Sequence, residues 1–259
     1  MNITHTEAQR PQGKIIFEND ACMVINKLPG ESSELPETGG NKNNGAPPRI
    51  LAVHRLDMPV SGCLVLAKTP EAAAFLSAAF ASHDTGRVEK RYWAIIEKPA
   101  NDKLAASGEL LHWISFDSKK NKSFAHNEAG QGRKKAVMRY RIAGSGNNYL
   151  FLEIELITGR HHQIRAQLAA LGLHIKGDLK YGARRSEKNG GIRLHAYSLN
   201  FPNPLNPAEK IEAKALPPLE DALWTAFAQA AGATFLARSC RNSPGEDSPE
   251  AEYSWRQQN

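Results

Sequence analysis

Asp57 is the one acidic residue in the stretch Val53-His-Arg-Leu-Asp-Met-Pro-Val-Ser-Gly-Cys-Leu-Val-Leu-Ala-Lys68. A carboxylate beside the fixed cation of Arg55, at the edge of an apolar run, can serve as a nucleophile or as a base. Asp57 also fits an ordinary turn, because Asp is favoured ahead of Pro59. In an extended segment Arg55 and Asp57 would share a face, but a surface ion pair of that kind contributes little. The residues alone leave both interpretations open.

A second group of residues with chemical potential is Thr158-Gly-Arg-His-His-Gln-Ile-Arg165. The pattern predicts that a strand ends, Gly159 turns the chain and a helix begins. Arginines at a helix start attract anions, whether phosphate or carboxylate. Arg165 follows the apolar Ile164, which places it near the boundary of the core. The alternative is a solvated basic helix end.

His161 and His162 are adjacent and raise the question of a metal site. Neighbouring helical positions point about 100° apart, so both rings cannot easily bind one ion. No cysteine or acidic residue stands at ligand spacing beside them. The sequence therefore predicts no metal site.

The segment Lys90-Arg-Tyr-Trp-Ala94 carries two neighbouring aromatic residues. In a strand, Tyr92 and Trp93 face opposite sides. One of them can belong to the core while the other offers a flat surface on which a base stacks. Two core aromatics are an equally good interpretation.

The composition favours a cytoplasmic protein of one large domain or two small ones. The 259 residues carry a formal net charge of +6 and a pI of about 9.2, which suits a polyanionic partner or simply a soluble basic protein. Three cysteines without a Cys-x-x-Cys pair favour a reducing compartment. The polar N-terminus is unlike a signal peptide, and no run approaches the roughly 20 apolar residues of a membrane helix. No membrane partner is therefore expected.

Hydrophobic periodicity predicts mainly strands. The predicted strands are 14–17, 22–26, 62–68, 88–97, 138–142, 152–156 and 194–201. Three helices are predicted. The first follows the capping pair Thr69-Pro70, the second runs from 162 to 171 and ends ahead of Gly172, and the third runs from about 219 to 231.

Regular alternation of strands and helices is absent, which excludes a doubly wound parallel fold and favours an α+β fold. The domain prediction is a flexible tail at 1–13, one domain at 14–238 and a flexible tail at 239–259. Residues 31–49 are rich in turn formers and predict a mobile loop inside the domain.

Taken together and in this order, these segments resemble the RluA family of RNA pseudouridine synthases. His54-Arg-Leu-Asp57 with Ser61-Gly62 and Ala67-Lys68 resembles the catalytic motif of that family. Lys90-Arg-Tyr92 resembles its tyrosine motif, and the segment from Thr158 to Arg165 resembles its third motif. Further matches are Ile15-Ile-Phe-Glu-Asn-Asp20, Val24-Ile-Asn-Lys27, Pro29-Gly30, Gly177-Asp-Leu-Lys-Tyr-Gly182, Leu194-His-Ala196 and Phe201. The resemblance covers about residues 14–218, and five motifs in register make it specific.

The resemblance implies the pseudouridine synthase fold: a mixed, mainly antiparallel central β-sheet with flanking helices and loops around an RNA-binding cleft. It implies that Asp57 is the catalytic aspartate, that Tyr92 stacks on the target uracil and that Arg165 is the basic partner of the aspartate. Arg55 matches an arginine that helps to displace the target nucleotide. The implied substrate-binding residues are His54, Arg55, Lys68, Arg160, His161, Gln163 and Tyr181.

The implied reaction detaches uracil from ribose, rotates it and rejoins it through carbon, in structured rRNA or tRNA. Since no redox change occurs, no cofactor is expected. A guanidinium would stabilise the ionised carboxylate and hold it in place, whether that carboxylate is a nucleophile or a base. Basic loops can hold phosphates, although each lysine or arginine in them is as well explained by solvation. No obligate protein partner is implied, and a monomer is expected.

Departures from the family pattern bear on the substrate and not on the reaction. Residues 58–60 are Met-Pro-Val, His161 replaces a common Thr, and Gln167 replaces a common His. Two other functions remain open: a non-catalytic RNA-binding or RNA-folding protein on the same scaffold, and a hydrolase of glycosidic bonds. The hydrolase would need a second carboxylate, and none stands out beside Asp57.

Overall fold

The computed structural model describes residues 13–33, 50–82, 88–99, 104–218 and 220–232. The predicted tail at 239–259, residues 1–12 of the predicted N-terminal tail and residues 34–49 of the predicted loop lie outside this part of the chain. Within the described ranges, every helix falls short of the length and apolar character that a membrane crossing requires.

Strands outnumber helices in the described residues, as the periodicity predicted. The strands are β1 (Lys14–Glu18), β2 (Cys22–Lys27), β3 (Leu51–Ala52), β4 (Ser61–Ala67), β5 (Glu89–Glu97), β6 (Ser107–Asp117), β7 (Lys122–His126), β8 (Lys134–Ser145), β9 (Tyr149–Leu156), β10 (Leu194–Asn203) and β11 (Asn206–Lys214). The helices are α1 (Pro70–Ala81), α2 (Gln163–Ala170) and α3 (Ala222–Ala230), with a 3-10 helix at Leu179–Tyr181. The sequence did not predict β3, β6, β7 or β11.

The described strands form one 11-stranded sheet in the order β1-β2-β4-β10-β5-β9-β8-β6-β7, with β11 paired to β10 and β3 paired to β4. The pairings are antiparallel except that of β4 with β10, which is parallel. The predicted mixed, mainly antiparallel sheet is therefore confirmed. In the middle of the sheet Ala196 of β10 lies opposite both Gly62 of β4 and Tyr92 of β5.

Local capping signals in the sequence act as predicted. Thr69 is the N-cap of α1, and its hydroxyl oxygen accepts a hydrogen bond from the Ala72 N–H at 3.2 Å. Gly172, beyond the end of α2, has a φ of +71°, in the left-handed region that glycine adopts at low free-energy cost. The third helix begins at Ala222, after the Asp221 cap, rather than near 219.

The two faces of the sheet are covered by different helices. Ile164 of α2 belongs to the same buried cluster as Tyr92 of β5. On the opposite face, Leu76 of α1 and Phe227 of α3 each lie in separate clusters. The Trp93 ring stacks on Phe227 with ring centroids 4.6 Å apart, so Trp93 is a core residue. Its neighbour Tyr92 therefore faces the side on which α2 lies.

The parallel pair β4–β10 depends on two buried residues. His195 is fully buried, and its Nε2–H donates to the Ala215 carbonyl at 3.0 Å while Nδ1 accepts from the Ser61 hydroxyl at 2.8 Å. Burial lowers the pKa of His195 to about 4, so the ring stays neutral and keeps these roles. Gly62 has a φ of +113°, and a Cβ there would lie 2.3 Å from the Ala196 carbonyl oxygen. Only glycine allows the two strands to approach this closely.

Gly62→Ala is expected to lower the free energy of unfolding by at least about 2 kcal/mol, because it adds a backbone clash to a backbone conformation that alanine adopts poorly. Gly146→Ala is the matched control, since a Cβ at Gly146 meets nothing within 4 Å. That control is expected to change the free energy of unfolding by no more than about 0.5 kcal/mol. Urea denaturation of both variants measures the difference. Equal stabilities would contradict the close approach of β4 to β10.

Candidate active site

A cavity of about 410 Å³ opens where the three segments singled out in the sequence converge. Its walls come from the loop before β4, the second half of α1, the start of β5 and the segment that leads into α2. The residues most relevant to chemistry on these walls are His54, Arg55, Asp57, Lys90, Tyr92, Arg160, His161, His162, Gln163 and Arg165. The sequence-distant motifs are thus brought together in space.

Asp57 lies in a turn and not in a strand. The Val60 N–H donates to the Asp57 carbonyl at 3.0 Å, so the turn expected ahead of Pro59 exists. The extended segment in which Arg55 and Asp57 would share a face is therefore not formed. Arg55 is exposed, whereas the Asp57 side chain is only 17% exposed. The turn-forming role and a role in chemistry coexist in Asp57.

A buried lysine fixes the turn that carries Asp57 by hydrogen bonds. Lys27 is fully buried, and its Nζ donates to the carbonyls of Leu28, Glu31 and Met58 at 2.9, 3.0 and 3.2 Å. Burial lowers the pKa of Lys27 to about 8, while the negative charges of Glu31 and Asp57 oppose the shift. Lys27 therefore anchors the turn by hydrogen bonds and places a cation near Asp57.

Arg165 lies between two carboxylates. Its Nη1 donates to Asp57 Oδ2 at 3.0 Å, while Nε and Nη2 donate to Asp178 Oδ2 and Oδ1 at 2.7 and 2.8 Å. The guanidinium also lies over the Tyr181 ring, 4.8 Å from its centroid. Arg165 is only 4% exposed, so the sequence expectation of a position near the core boundary understated its burial. Asp178 and Tyr181 orient the guanidinium, and Nη1 is left to hold Asp57.

Asp178 is the acidic partner that sequence reasoning missed. The sequence offered no second carboxylate beside Asp57, because Asp178 follows Gly177 in a loop 13 residues after Arg165 and no periodicity links the two. Its only signal was its place in the motif Gly177-Asp-Leu-Lys-Tyr-Gly182. The side chain is 1% exposed and lies behind Arg165, with both oxygens engaged. Asp178 therefore supports Arg165 and does not face the cavity.

His162 was also missed, although it contacts Asp57. Its Nε2 lies 3.5 Å from Asp57 Oδ2, and its Nδ1 lies 3.0 Å from the Tyr181 hydroxyl. Burial, with the positive charge of Arg165 next in effect, lowers the pKa of His162 to about 2. The ring is neutral at physiological pH, so Arg165 and not His162 balances the charge of Asp57.

The two adjacent histidines stack, with ring centroids 3.8 Å apart, instead of diverging. The premise that they occupy successive helical positions is wrong: His162 is the N-cap of α2 and has a φ of 51°, in the left-handed region. Such a conformation is uncommon for a residue other than glycine, and it is concentrated at functional sites. Among the described residues, no three His, Cys, Asp or Glu side chains gather as metal ligands do.

Tyr92 forms part of the cavity wall. It lies in β5 between Ala196 of β10 and Ile154 of β9, and it is 8% exposed. Burial raises the pKa of its hydroxyl above the usual value, and the negative charge of Asp57 adds to the shift. The phenol therefore remains protonated and the ring uncharged.

Three other predicted site residues line the cavity but are engaged with the protein. His54 stacks on Phe80 with ring centroids 4.4 Å apart, and its Nε2 accepts from the Val65 N–H at 2.9 Å. Gln163 accepts from the Thr158 hydroxyl and the Arg160 N–H at 2.8 and 3.0 Å. The Arg160 Nε donates to the Lys135 carbonyl at 3.0 Å. These contacts shape the cavity walls.

Two predicted site residues do not lie on the cavity walls. Lys68 Nζ pairs with Glu18 at 2.9 Å at the end of β4, and it donates to the Asn19 carbonyl at the same distance. The Tyr181 hydroxyl is buried against Ser123, whose N–H it accepts at 2.9 Å. The structure thus gives Lys68 a structural ion pair and makes Tyr181 a support for Arg165 and His162.

Comparison with known proteins matches this site to one family. The family model described as RNA pseudouridylate synthase matches residues 22–170. The ribosomal large subunit pseudouridine synthase D of Zymomonas mobilis is 30% identical over 227 residues, which span 78% of this chain and 68% of the relative. The chain belongs to the RluA family of RNA pseudouridine synthases. The resemblance recognised in the sequence is thereby confirmed.

Other relatives agree with this assignment. The dual-specificity RNA pseudouridine synthase RluA of Vibrio vulnificus is 30% identical over 207 residues, which span 75% of this chain and 79% of that protein. The solved structure of human RNA pseudouridylate synthase domain containing 1 has a TM-score of 0.61 at 24% identity and covers 86% of this chain and 96% of its own. That structure supports the fold. As a pseudouridine synthase, the chain is an isomerase that acts on RNA.

Asp178→Asn keeps the size of the side chain but removes the charge that Arg165 faces. We expect the free energy of unfolding to fall by about 3–5 kcal/mol, because a buried cation loses its bidentate partner. Turnover is expected to fall as Arg165 loosens its hold on Asp57, while RNA affinity stays unchanged because Asp178 is 2% exposed. Urea denaturation, single-turnover kinetics and RNA titration measure the three quantities.

Asp221→Asn is the matched control, since Asp221 pairs with Arg193 at 2.7 Å and caps α3 away from the cavity. Asn caps a helix about as well as Asp, so only the partly exposed ion pair is lost. The variant is therefore expected to lower the free energy of unfolding by no more than about 1 kcal/mol, with no loss of turnover. Wild-type turnover in a folded Asp178→Asn protein would show that Asp178 has no part in holding Arg165.

Proposed function

We propose that this synthase converts specific uridines in structured ribosomal or transfer RNA to pseudouridine, with Asp57 as its essential carboxylate. The observation that carries the proposal is Asp57 itself, partly exposed in the cavity and held by Arg165 Nη1 at 3.0 Å. The RNA class is inferred from relatives that are named for the ribosomal large subunit and for dual specificity.

The proposed reaction breaks the bond between N1 of uracil and C1′ of ribose and forms a bond between C5 and C1′. The proton on C5 is lost and N1 gains one, so atoms and electrons balance without an oxidant or reductant. No cofactor is therefore required by the chemistry. Asp57 supplies the negative charge, and Arg165 orients its carboxylate by the hydrogen bond from Nη1.

The walls of the cavity fit a nucleotide that has left the RNA stack. Leaving the stack costs a few kcal/mol, which contacts with the protein must offset. The neutral ring of Tyr92 is placed to stack on the extruded uracil. Arg55 is exposed beside the cavity and is proposed to occupy the space that the nucleotide vacates.

The two alternative functions are less consistent with the site. A hydrolase of glycosidic bonds needs a second carboxyl group that can present a proton. Asp178 shares Arg165 with Asp57, but both oxygens of Asp178 accept hydrogen bonds from that guanidinium. A non-catalytic RNA-binding protein would have no need to hold Asp57 in a network of buried charges. Both observations favour the isomerase.

We further propose that the synthase acts as a monomer in the cytoplasm. Cys22 and Cys63 are free and buried, and burial raises their pKa values to about 11 and about 12. Thiols of this kind remain protonated and fit a reducing compartment.

Mapping pseudouridines in RNA from cells with and without the gene identifies the RNA substrate and the modified positions.

Asp57→Asn is expected to leave RNA affinity unchanged and to lower the single-turnover rate constant by at least about a hundredfold. The change is nearly isosteric but removes the charge that the reaction requires. Asp20→Asn, in the exposed turn between β1 and β2, is the control and is expected to keep full activity. Should purified Asp57→Asn form pseudouridine at the wild-type rate, the assignment of Asp57 is wrong.

A further inference from the structure

An exposed aromatic residue adjoins the cavity on a hairpin that the proposed function does not use. Phe116, near the end of β6, is 52% exposed. Its ring meets His161 in an edge contact, with ring centroids 4.4 Å apart and planes at 62°. His161 lines the cavity and stacks on His162, which reaches Asp57. A chain of ring contacts thus connects the hairpin to the carboxylate.

The position of Phe116 relative to the cavity is fixed by hydrogen bonds. Phe116 is paired across the hairpin with Ser123 of β7. The Ser123 hydroxyl lies 2.9 Å from His161 Nδ1, and the Ser123 N–H donates to the buried Tyr181 hydroxyl at 2.9 Å. Through Ser123 the hairpin is therefore attached to His161 on the cavity wall and to Tyr181, which supports Arg165.

Positive charge surrounds this aromatic surface while the rings themselves are neutral. Lys119 and Lys120 in the hairpin turn are exposed, as is Lys180 beside it. Burial lowers the pKa of His161, and the charges of Arg55, Arg165 and Lys180 lower it further against the opposing charge of Asp57. Uncharged rings flanked by cations are the arrangement that binds single-stranded nucleic acid, since bases stack on the rings and phosphates pair with the cations.

We propose that Phe116 and His161 form a stacking site for the base of one unpaired nucleotide next to the target uridine, with its phosphate near Lys120 and Lys180. The proposal rests on the proposed function, because it extends the same RNA outward from the cavity.

The hairpin offers its own control residue. Phe124 pairs with Ser115, so the alternation of side chains along β7 places it on the face opposite Phe116. It is 37% exposed, and Lys122 lies over its ring at 5.6 Å. Phe116→Ala and Phe124→Ala therefore remove the same aromatic group from the two faces of one hairpin.

The first experiment measures binding of a labelled RNA oligonucleotide with a single uridine among cytidines. Phe116→Ala is expected to raise its dissociation constant about ten- to a hundredfold, and Phe124→Ala to leave it within about twofold. The control Phe124→Ala is also expected to keep the single-turnover rate constant of the wild type at saturating RNA. Equal binding by the wild type and Phe116→Ala would overturn the proposal.

The second experiment removes the base instead of the ring. An oligonucleotide with an abasic nucleotide directly 5′ or directly 3′ of the uridine is bound to the wild type and to Phe116→Ala. At one of the two positions, the abasic nucleotide is expected to weaken binding by the wild type about as much as Phe116→Ala weakens binding of the intact oligonucleotide. The same abasic nucleotide is expected to weaken binding by Phe116→Ala no further, so the two losses do not add. Losses that add at both positions would show that Phe116 stacks on neither neighbour.

These results separate the stacking site from the function on which it rests. Failure of the wild type to form pseudouridine in any cellular RNA would contradict the proposed function, whereas the binding data alone decide the stacking site. Sedimentation of Phe116→Ala tests a different occupant. A changed oligomeric state with unchanged RNA affinity would assign this surface to a second copy of the chain and would overturn the proposal.

Discussion

The guanidinium of Arg165 donates hydrogen bonds to two carboxylates, Asp178 behind it and Asp57 in the cavity. A buried cation is stable only when it is paired and hydrogen-bonded, and Asp178 meets that requirement from within the protein. The remaining nitrogen can then be directed at a carboxylate that must stay partly open to substrate. Lys27 adds a second cation next to the turn, and burial lowers the pKa of Lys27 to about 8. The charge of Asp57 is thus balanced before RNA arrives, which is the preorganisation that the proposed catalysis by a lone carboxylate requires.

The topology of the sheet brings Asp57 and Arg165 together. Gly62 lets β4 run parallel to β10 at close range, and that approach sets the turn that carries Asp57 beside Tyr92 of β5. In the sheet β9 lies beside β5. The chain passes from β9 into the segment that ends in Arg165. The proposed catalytic constellation is therefore a consequence of strand order. The left-handed backbone at His162 begins α2 at the position from which Arg165 reaches inward.

Much of this architecture was readable from local sequence, and the rest depended on tertiary pairing. The apolar run of β4, the Thr69 cap and the alternation in β8 and β9 follow from periodicity, because each reports one buried face. Few positions of β6 and β7 are fully buried, so the contrast between their two faces is weak in the sequence. Asp178 was missed because its partner is distant in sequence, and His162 because its backbone conformation has no sequence signature. Lys68 matches a family motif, yet the structure pairs it with Glu18, which only the three-dimensional arrangement reveals.

The single-turnover rate constant of Arg165→Lys, measured together with its RNA dissociation constant, tests the central claim most directly. Lysine keeps the positive charge but lacks the planar fork that binds Asp178 on one edge and Asp57 on the other. If Arg165 acts by holding Asp57, the rate constant falls roughly ten- to a hundredfold while the affinity for RNA stays at the wild-type value. If instead the variant keeps the wild-type rate constant and binds RNA weakly, Arg165 is a phosphate contact and the two-carboxylate account of the site is wrong.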